Sequence, residues 1–535
     1  MGVYLNPRND GFWEAVRSDI YVDKTELIKY TNSYLSTEQK FLCVSRPRRF
    51  GKSIALRMLS AYYSRGCDSR ELFAGKKIES DPSFAEHLNQ YDVIFLNMQH
   101  FLIGAASGTG TECLEQKVLK ELLEEYGTNI SSHHTALADA LNEVYARIGK
   151  KFIFLFDEWD CIMRERQESE SLQKQYLDFL RGLLKDQPYV ALSYMTGILP
   201  IKKYGQHSAL NMFWEYSMTD QNVFEEYTGF TETEVKDLCE LYGMDYAETS
   251  SWYDGYQLRR LKHVFNPRSV VAAMKCRYFS NYWTSTETYE ALKIYIDMDF
   301  DGLRADIVQM MSGDRIKLNT RSFQNDMHTF HTKDDVLTLL IHLGYLGYDA
   351  EMKEAFIPNR EIIEEFENAM SVGGWAEVTK VLKASEKLLE DTLRCDAESV
   401  AKGLDQAHTE VASILTYNDE SSMGAAIGLA YYSARKDYRI IREMPAGHGF
   451  ADVVFLPLPF SSKPALVVEL KYDKSADSAI RQIKDRDYVR GLKDYSGEVL
   501  LVGVSYDRHD GNKLHSCVIE KLDYSAGYGS DQDHG

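Results

Sequence analysis

Residues 40–60 read KFLCVSRPRRFGKSIALRMLS, and the fold class of the chain turns on them. The apolar run Phe41-Leu-Cys-Val44 has the length and composition of a short buried strand. From Ser53 onward Ile54, Leu56, Met58 and Leu59, then Tyr62 and Tyr63, fall on a helical face with no breaker among them. Between strand and helix stands Ser45-Arg46-Pro47-Arg48-Arg49-Phe50-Gly51-Lys52-Ser53. Gly-Lys-Ser entering a helix after a strand is the closing half of a phosphate-binding loop. Gly51 permits close backbone approach, and a helix N-terminus offers unpaired amides to an anion. In such a loop Lys52 reaches the β- and γ-phosphates of ATP, and the Ser53 hydroxyl ligates Mg²⁺.

The tripeptide alone turns up by chance on the order of 0.3 times in a chain this long, so it needs a second element. It also lacks the usual first glycine, since that position of the Walker A pattern holds Arg46. Residues 151–160, KFIFLFDEWD, supply the second element: an apolar strand, Phe152 to Phe156, that ends on two carboxylates. In a Walker B strand Asp157 holds the Mg²⁺ shell and Glu158 polarises the attacking water. The plain alternative is a buried strand with an acidic turn.

At 535 residues the chain is long enough for about three domains, each with its own core. Its net charge of -20 argues against broad non-specific binding to polyanions, so any nucleic-acid contact is expected in a local basic groove. The eight cysteines include no Cys-x-x-Cys spacing, which points to neither a disulfide frame nor a zinc site and fits a reducing cytoplasm. No apolar run approaches the roughly 18 residues of a membrane span. The start has no signal-peptide core, and the Ser/Thr position of a myristoylation pattern holds Asn6.

Before the loop, Ile20-Tyr21-Val22 is expected as a short strand and Asp23 as the cap of a helix with Leu27 and Ile28 inward. YVDKT paired with RPRRFGKS, then the acidic strand and TGILPI, resembles the AAA-ATPase-like family of bacterial proteins, whose members often carry a C-terminal PD-(D/E)XK nuclease-like domain. That family itself has Arg at the first Walker A position. The resemblance implies ATP and Mg²⁺ at the loop from Arg46 to Ser53. At the end of the strand from Val190 it implies a γ-phosphate sensor at Thr196, against a simple turn residue. Relatives that work as rings complete a neighbour's site with an arginine, for which Arg164 and Arg181 are placed. A homo-oligomer is therefore an expectation of the resemblance.

Apolar strands alternating with helices, among them Val93 to Asn97 and a helix from about Glu168 to Lys185, make a parallel sheet covered on both faces, with ligands at the carboxyl ends of its strands. From Glu225 the chain turns helical and aromatic. Thr231-Glu-Thr-Glu234 is a capping box, Asn266 a helix cap, and the aromatic residues around Asp254 are core packing. Residues 336–363 outline a helix and β-hairpin, read either as a DNA-contacting wing or, given Asp349, Glu351 and Glu354, as a structural lid. The expected domains are 1–224 (P-loop NTPase, AAA+-like), 225–402 (mainly helical connector) and 403–525 (nuclease-like α/β), with a tail at 526–535.

In the last third, a turn after Gly447 leads into a strand near Asp452, and Ala465 to Lys471 is a second strand. Strand alternation puts Glu469 and Lys471 on one face, and an antiparallel hairpin returns Asp452 beside them. Two carboxylates there suit Mg²⁺, and Lys471 would orient the attacking water and steady transition-state charge. This Asp, Glu-x-Lys pattern resembles the PD-(D/E)XK nucleases over about Glu410 to Val504. The resemblance further implies Glu420 as an acid near the metal, and Gln482 and Tyr488, in a helix from Ala476 to Val489, as phosphate-backbone contacts. The alternative to an ATP-dependent nuclease, with DNA ahead of RNA, is a nucleotide-dependent regulatory protein whose C-terminal domain binds nucleic acid without cutting it.

Overall fold

The computed structural model describes residues 2–100, 110–127, 130–131, 133–201, 210–220, 223–283, 289–298, 300, 302–325, 327, 329–411, 414, 420–446, 449–459, 461–486, 488, 492, 495–507 and 515–522. The chain gathers into two compact units, residues 1–288 with 317–364, and residues 289–316 with 365–535.

The first unit is built on a parallel sheet of β1 (Phe41–Ser45), β2 (Asp92–Asn97), β3 (Phe152–Asp157), β4 (Val190–Gly197) and β5 (Trp214–Tyr216), in the order β2-β3-β4-β1-β5. Every residue of β1, β3 and β4 is buried, as continuous apolar strands require when helices cover both faces. Helix α1 (Lys52–Tyr63) packs Leu56, Leu59, Tyr62 and Tyr63 into a core with Val93, Ile153, Leu155 and Leu192. Full burial of such side chains stabilises by about 1.5–3 kcal/mol each. The two tyrosines are tolerated there because their hydroxyls are satisfied. Tyr63 donates to Asn32 Oδ1 at 2.7 Å and Tyr62 to the Phe84 carbonyl at 2.8 Å.

Three local expectations are corrected. Ile54 is 45% exposed rather than inward, because it shares the outward face of α1 with Arg57, three residues on, while Ala55, Leu56, Met58 and Leu59 face the core. Ile20 to Val22 pair with no strand. Asp23 caps no helix but accepts from the amides of Thr25 (2.9 Å) and Lys77 (2.8 Å); the helix starts at Leu27, with Leu27 and Ile28 buried as expected.

The outer edge of β2 is covered by the N-terminal segment. Glu121 accepts from the amides of Val3 (2.9 Å), Tyr4 (2.9 Å) and Leu5 (2.7 Å), and Leu5 bridges to Ile94. Asp92, 1% exposed, accepts from Asn6 Nδ2 (2.7 Å), Arg65 Nε (2.6 Å) and the Tyr126 hydroxyl (2.7 Å).

Beyond the sheet, the helix Glu232–Tyr242 opens on the Thr231 capping box, and Asn266 caps Pro267–Cys276. Trp252, Tyr253 and Tyr256 are buried. The helix Lys333–Leu343 is followed by the antiparallel hairpin Gly347–Asp349 with Glu354–Phe356. The Gly-rich run before Gly110 lies outside the described residues.

The second unit holds α2 (Ala376–Leu393), α3 (Ala397–Val411) and α4 (Glu420–Ala430). Its five-stranded sheet consists of β6 (Tyr438–Ala446), β7 (Gly449–Pro457), β8 (Ala465–Tyr472), β9 (Val499–Tyr506) and β10 (His515–Lys521), in chain order across the sheet. Only β8 and β9 run parallel, joined by a crossover that contains α5 (Ala476–Asp485). Among the described residues no helix is long and apolar enough to cross a membrane.

Candidate functional site

The parallel sheet brings three strand ends side by side. Val44 is in register with Thr196, and Phe156 with Met195, so the loop after β1, the carboxylates after β3 and Thr196 share one edge. Gly51 takes φ +83°, a left-handed conformation that glycine adopts without strain, and α1 then begins with no side-chain cap. Lys52 is 4% exposed, and its ammonium donates to the carbonyls of Arg46 (2.9 Å) and Pro47 (2.8 Å). Burial lowers its pKa, and the charges of Glu158, Asp160 and Asp157 act in the opposite sense. Ser53 follows at the second helical position, half-buried.

Arg46 does not turn its side chain to the loop mouth. At 1% exposure its Nη1 donates to the carbonyls of Ser45 (2.9 Å) and Tyr216 (2.8 Å), which ties β1 to β5, and burial pulls its pKa down to about 10. Its side chain is thus a strut within the sheet, while its carbonyl faces Lys52 in the loop. Arg48 is exposed, Arg49 half-buried, and Pro47 and Phe50 buried.

Asp157 accepts from the Thr196 hydroxyl (2.8 Å) and the Glu158 amide (3.1 Å). Glu158 has φ +53°, unusual for a residue with a Cβ, and its carboxylate is paired with Arg164. Burial raises the Glu158 pKa, while Arg164 and Lys52 lower it. Arg164 also donates to Asp160 Oδ2 (3.1 Å), which accepts from the amides of Ile198 (3.1 Å) and Leu199 (2.8 Å). With its side chain 7% exposed, Arg164 is paired within its own chain; Arg181 is 53% exposed beside Asp178. Asp160 was legible only as the last acid of the run from Asp157. Its function of tying the ends of β3 and β4 together depends on backbone amides that no sequence pattern displays. An uncapped helix N-terminus, Lys52, Ser53 and Asp157 form a donor set that fits a nucleotide's phosphates with Mg²⁺.

In the second unit one face of β8 changes character along its length. Val467 packs with Ile480, Ile483 and Leu501, and two residues on the same face becomes Glu469, then Lys471. The hairpin returns Asp452 as expected: its Oδ2 accepts from the Leu470 amide at 2.7 Å. Glu469 is 1% exposed; its Oε1 accepts from Lys471 Nζ (2.7 Å) and from Gln482 Nε2, while Oε2 is buried with no hydrogen-bond partner among the described residues. Burial raises its pKa, the Lys471 hydrogen bond lowers it, and Asp452 acts both ways, its charge raising the pKa and its backbone amide lowering it.

Tyr488 lies beyond the end of α5, which stops at Asp485. It is 1% exposed, and its hydroxyl accepts from Gln482 Nε2 at 3.0 Å. The two carboxylates and the orphaned Oε2 fit a hard divalent cation. Among the described residues no group of three or more His, Cys, Asp or Glu side chains is placed to hold a metal. Glu420 opens α4, but its side chain lies outside the described residues.

Residues 13–206 match the family model described as predicted AAA-ATPase, and residues 425–516 that of the PD-(D/E)XK nuclease superfamily. An uncharacterized protein in the vnfD 5' region of Azotobacter chroococcum is 24% identical over 94% of this chain and 95% of its own length. Among solved structures, a Walker-type ATPase of Pyrococcus abyssi matches with a TM-score of 0.34 at 12% identity, covering 65% of this chain and 96% of that one. The Aeropyrum pernix ORC2 protein matches at 0.30 and 11%, covering 66% and 97%. The chain therefore carries an AAA-ATPase-like segment at residues 13–206 and a PD-(D/E)XK nuclease superfamily segment at residues 425–516.

Proposed function

We propose that this chain is an ATP hydrolase joined to a Mg²⁺-dependent phosphodiesterase that acts on nucleic acid, DNA ahead of RNA. The observation that carries the reading is the buried Glu469, whose Oε2 has no hydrogen-bond partner among the described residues, with Asp452 nearby and Lys471 bonded to its other oxygen. A carboxylate pair of that kind would relax by protonation or substitution if it had only to support a fold. Bound Mg²⁺ supplies charge that polarises phosphate oxygens and makes water more acidic.

Asp452 and Glu469 would hold the cation, Lys471 would steady charge on the reacting phosphate, and Gln482, bonded to Tyr488, orients Glu469. At the other site Lys52 would exchange its two carbonyls for phosphate, and Ser53 and Asp157 would hold the cation. Glu158 accepts the proton of the attacking water, and Thr196 senses the terminal phosphate.

The test is incubation of the pure protein with single- and double-stranded DNA and RNA, with and without Mg²⁺ and ATP. Cleavage is expected for the wild type and lost in Glu469→Ala and Lys471→Ala, with ATP affinity retained. Lys52→Ala should weaken ATP at least about tenfold, the equivalent of one charge-assisted contact. A wild-type protein that binds DNA in these assays yet never cuts it would replace the nuclease with a nucleic-acid-binding module.

A further inference from the structure

The side chains that make this phosphate loop unlike a glycine-rich one are used to grip the later part of the same compact unit. Arg49 Nη1 donates to the carbonyls of Tyr282 (3.4 Å) and Trp283 (3.2 Å), from a backbone held at φ +68°. The Phe50 ring, 1% exposed, meets Tyr256 edge-on with centroids 5.1 Å apart, and its carbonyl accepts from the Gly229 amide at 3.0 Å. Pro47 is wedged at Gly344: a Cβ there would stand 2.8 Å from Pro47 Cβ and 2.9 Å from the Trp283 ring. Gly344 also sits at φ +91°, and its carbonyl accepts from the Tyr256 hydroxyl at 2.7 Å. Three residues of one loop thus enter one seat made by Tyr256, Trp283 and Gly344.

We infer that Pro47, Arg49 and Phe50 are positioning residues that transmit occupancy of the loop to this seat, so that the later part of the same unit, residues 225–288 and 317–364, reports whether a nucleotide is bound. The inference rests on the reading of the loop as a nucleotide site. Its physical basis is the position of Lys52, whose ammonium now closes the loop by donating to the carbonyls of Arg46 and Pro47. A phosphate that draws Lys52 away leaves those two carbonyls to find new partners, and one of them belongs to the very residue wedged against Gly344 and Trp283. A ligand shifts a conformational equilibrium only through contacts that differ between two states, and this exchange of Lys52 partners is such a difference. Arg49 and Phe50 are attached on the other side of the loop, so its backbone does not rearrange without loading the seat.

The test is hydrogen–deuterium exchange on the full chain with Mg²⁺ and a non-hydrolysable ATP analogue, alongside calorimetric binding. The wild type is expected to slow exchange both in the loop and in peptides that contain Trp283 and Gly344 to Leu346. Arg49→Ala and the milder Tyr256→Phe, each measured at saturating analogue, are expected to keep the slowing at the loop and lose it at the seat. Wild-type binding with no change at the seat overturns the inference and leaves the ATP site standing. So does a seat response in both variants equal to the wild type's, and so does a complete loss of binding in Arg49→Ala while Tyr256→Phe responds as wild type. Absence of binding by the wild type overturns the ATP site and this inference together.

Discussion

The hydroxyl of Thr196 donates to Asp157 Oδ1 at 2.8 Å, joining the ends of two neighbouring parallel strands inside a buried site. Thr196→Val keeps the shape but leaves that buried carboxylate short of a donor, which costs about 1–3 kcal/mol. Chemical denaturation of the variant should show a loss in this range, and steady-state ATP turnover should fall with it. A variant as stable and as fast as the wild type would show that the bond contributes nothing.

Glu158 sits above the ordinary carboxylate range because of burial, and Arg164 pulls it back. A general base works only when deprotonated, so the acid limb of ATP turnover should lie above the ordinary Glu value of about 4.3. Arg164→Ala removes a positive neighbour and should move that limb to higher pH, whereas Glu158→Gln should slow turnover about 10²-fold or more at every pH. Turnover profiles against pH for the three proteins check both signs.

Sequence and structure agree where apolar continuity decides the outcome. The strands ending at Ser45, Asp157 and Gly197 are legible as buried runs because parallel strands covered on both faces have no polar side to confuse the reading. Asp452 and Glu469 are legible because a strand's two-residue period fixes which side chains share a face. Arg46 was not, since nothing in local sequence says that a long side chain will turn back along its own strand to the Tyr216 carbonyl. β6 escaped for a different reason: Tyr438-Arg-Ile-Ile-Arg-Glu mixes charge into the run and blurs the alternation. The placement of Tyr488 followed from extending a helical period past Asp485, where the helix had already ended.

Burial raises the Glu469 pKa above its unfolded value. The stability this group contributes is therefore fully present below the unfolded value and is lost as pH rises through the folded one. Glu469→Gln, neutral at all pH, should be more stable than the wild type at neutral pH in chelator. The gap should close below about pH 4, where the carboxyl is protonated in both states. Mg²⁺ should raise the melting temperature of the wild type and not of the variant, and thermal melts with and without the cation decide it.

Thr231 accepts from the Glu234 amide, and Glu234 Oε2 answers by accepting from the Thr231 amide (2.8 Å) and from Lys24 Nζ (2.6 Å). Thr231→Ala should cost about 1 kcal/mol of stability, the usual worth of a helix cap, with ATP affinity unchanged. Denaturant titration followed by calorimetry measures both.

The segment Val3 to Asn6 has a practical consequence for anyone who makes this protein. Val3, Tyr4 and Leu5 are clamped by Glu121, and Asn6 is one of three donors to the buried Asp92. A recombinant version trimmed past Asn6 would bare the outer edge of β2 to other chains, an invitation to aggregation.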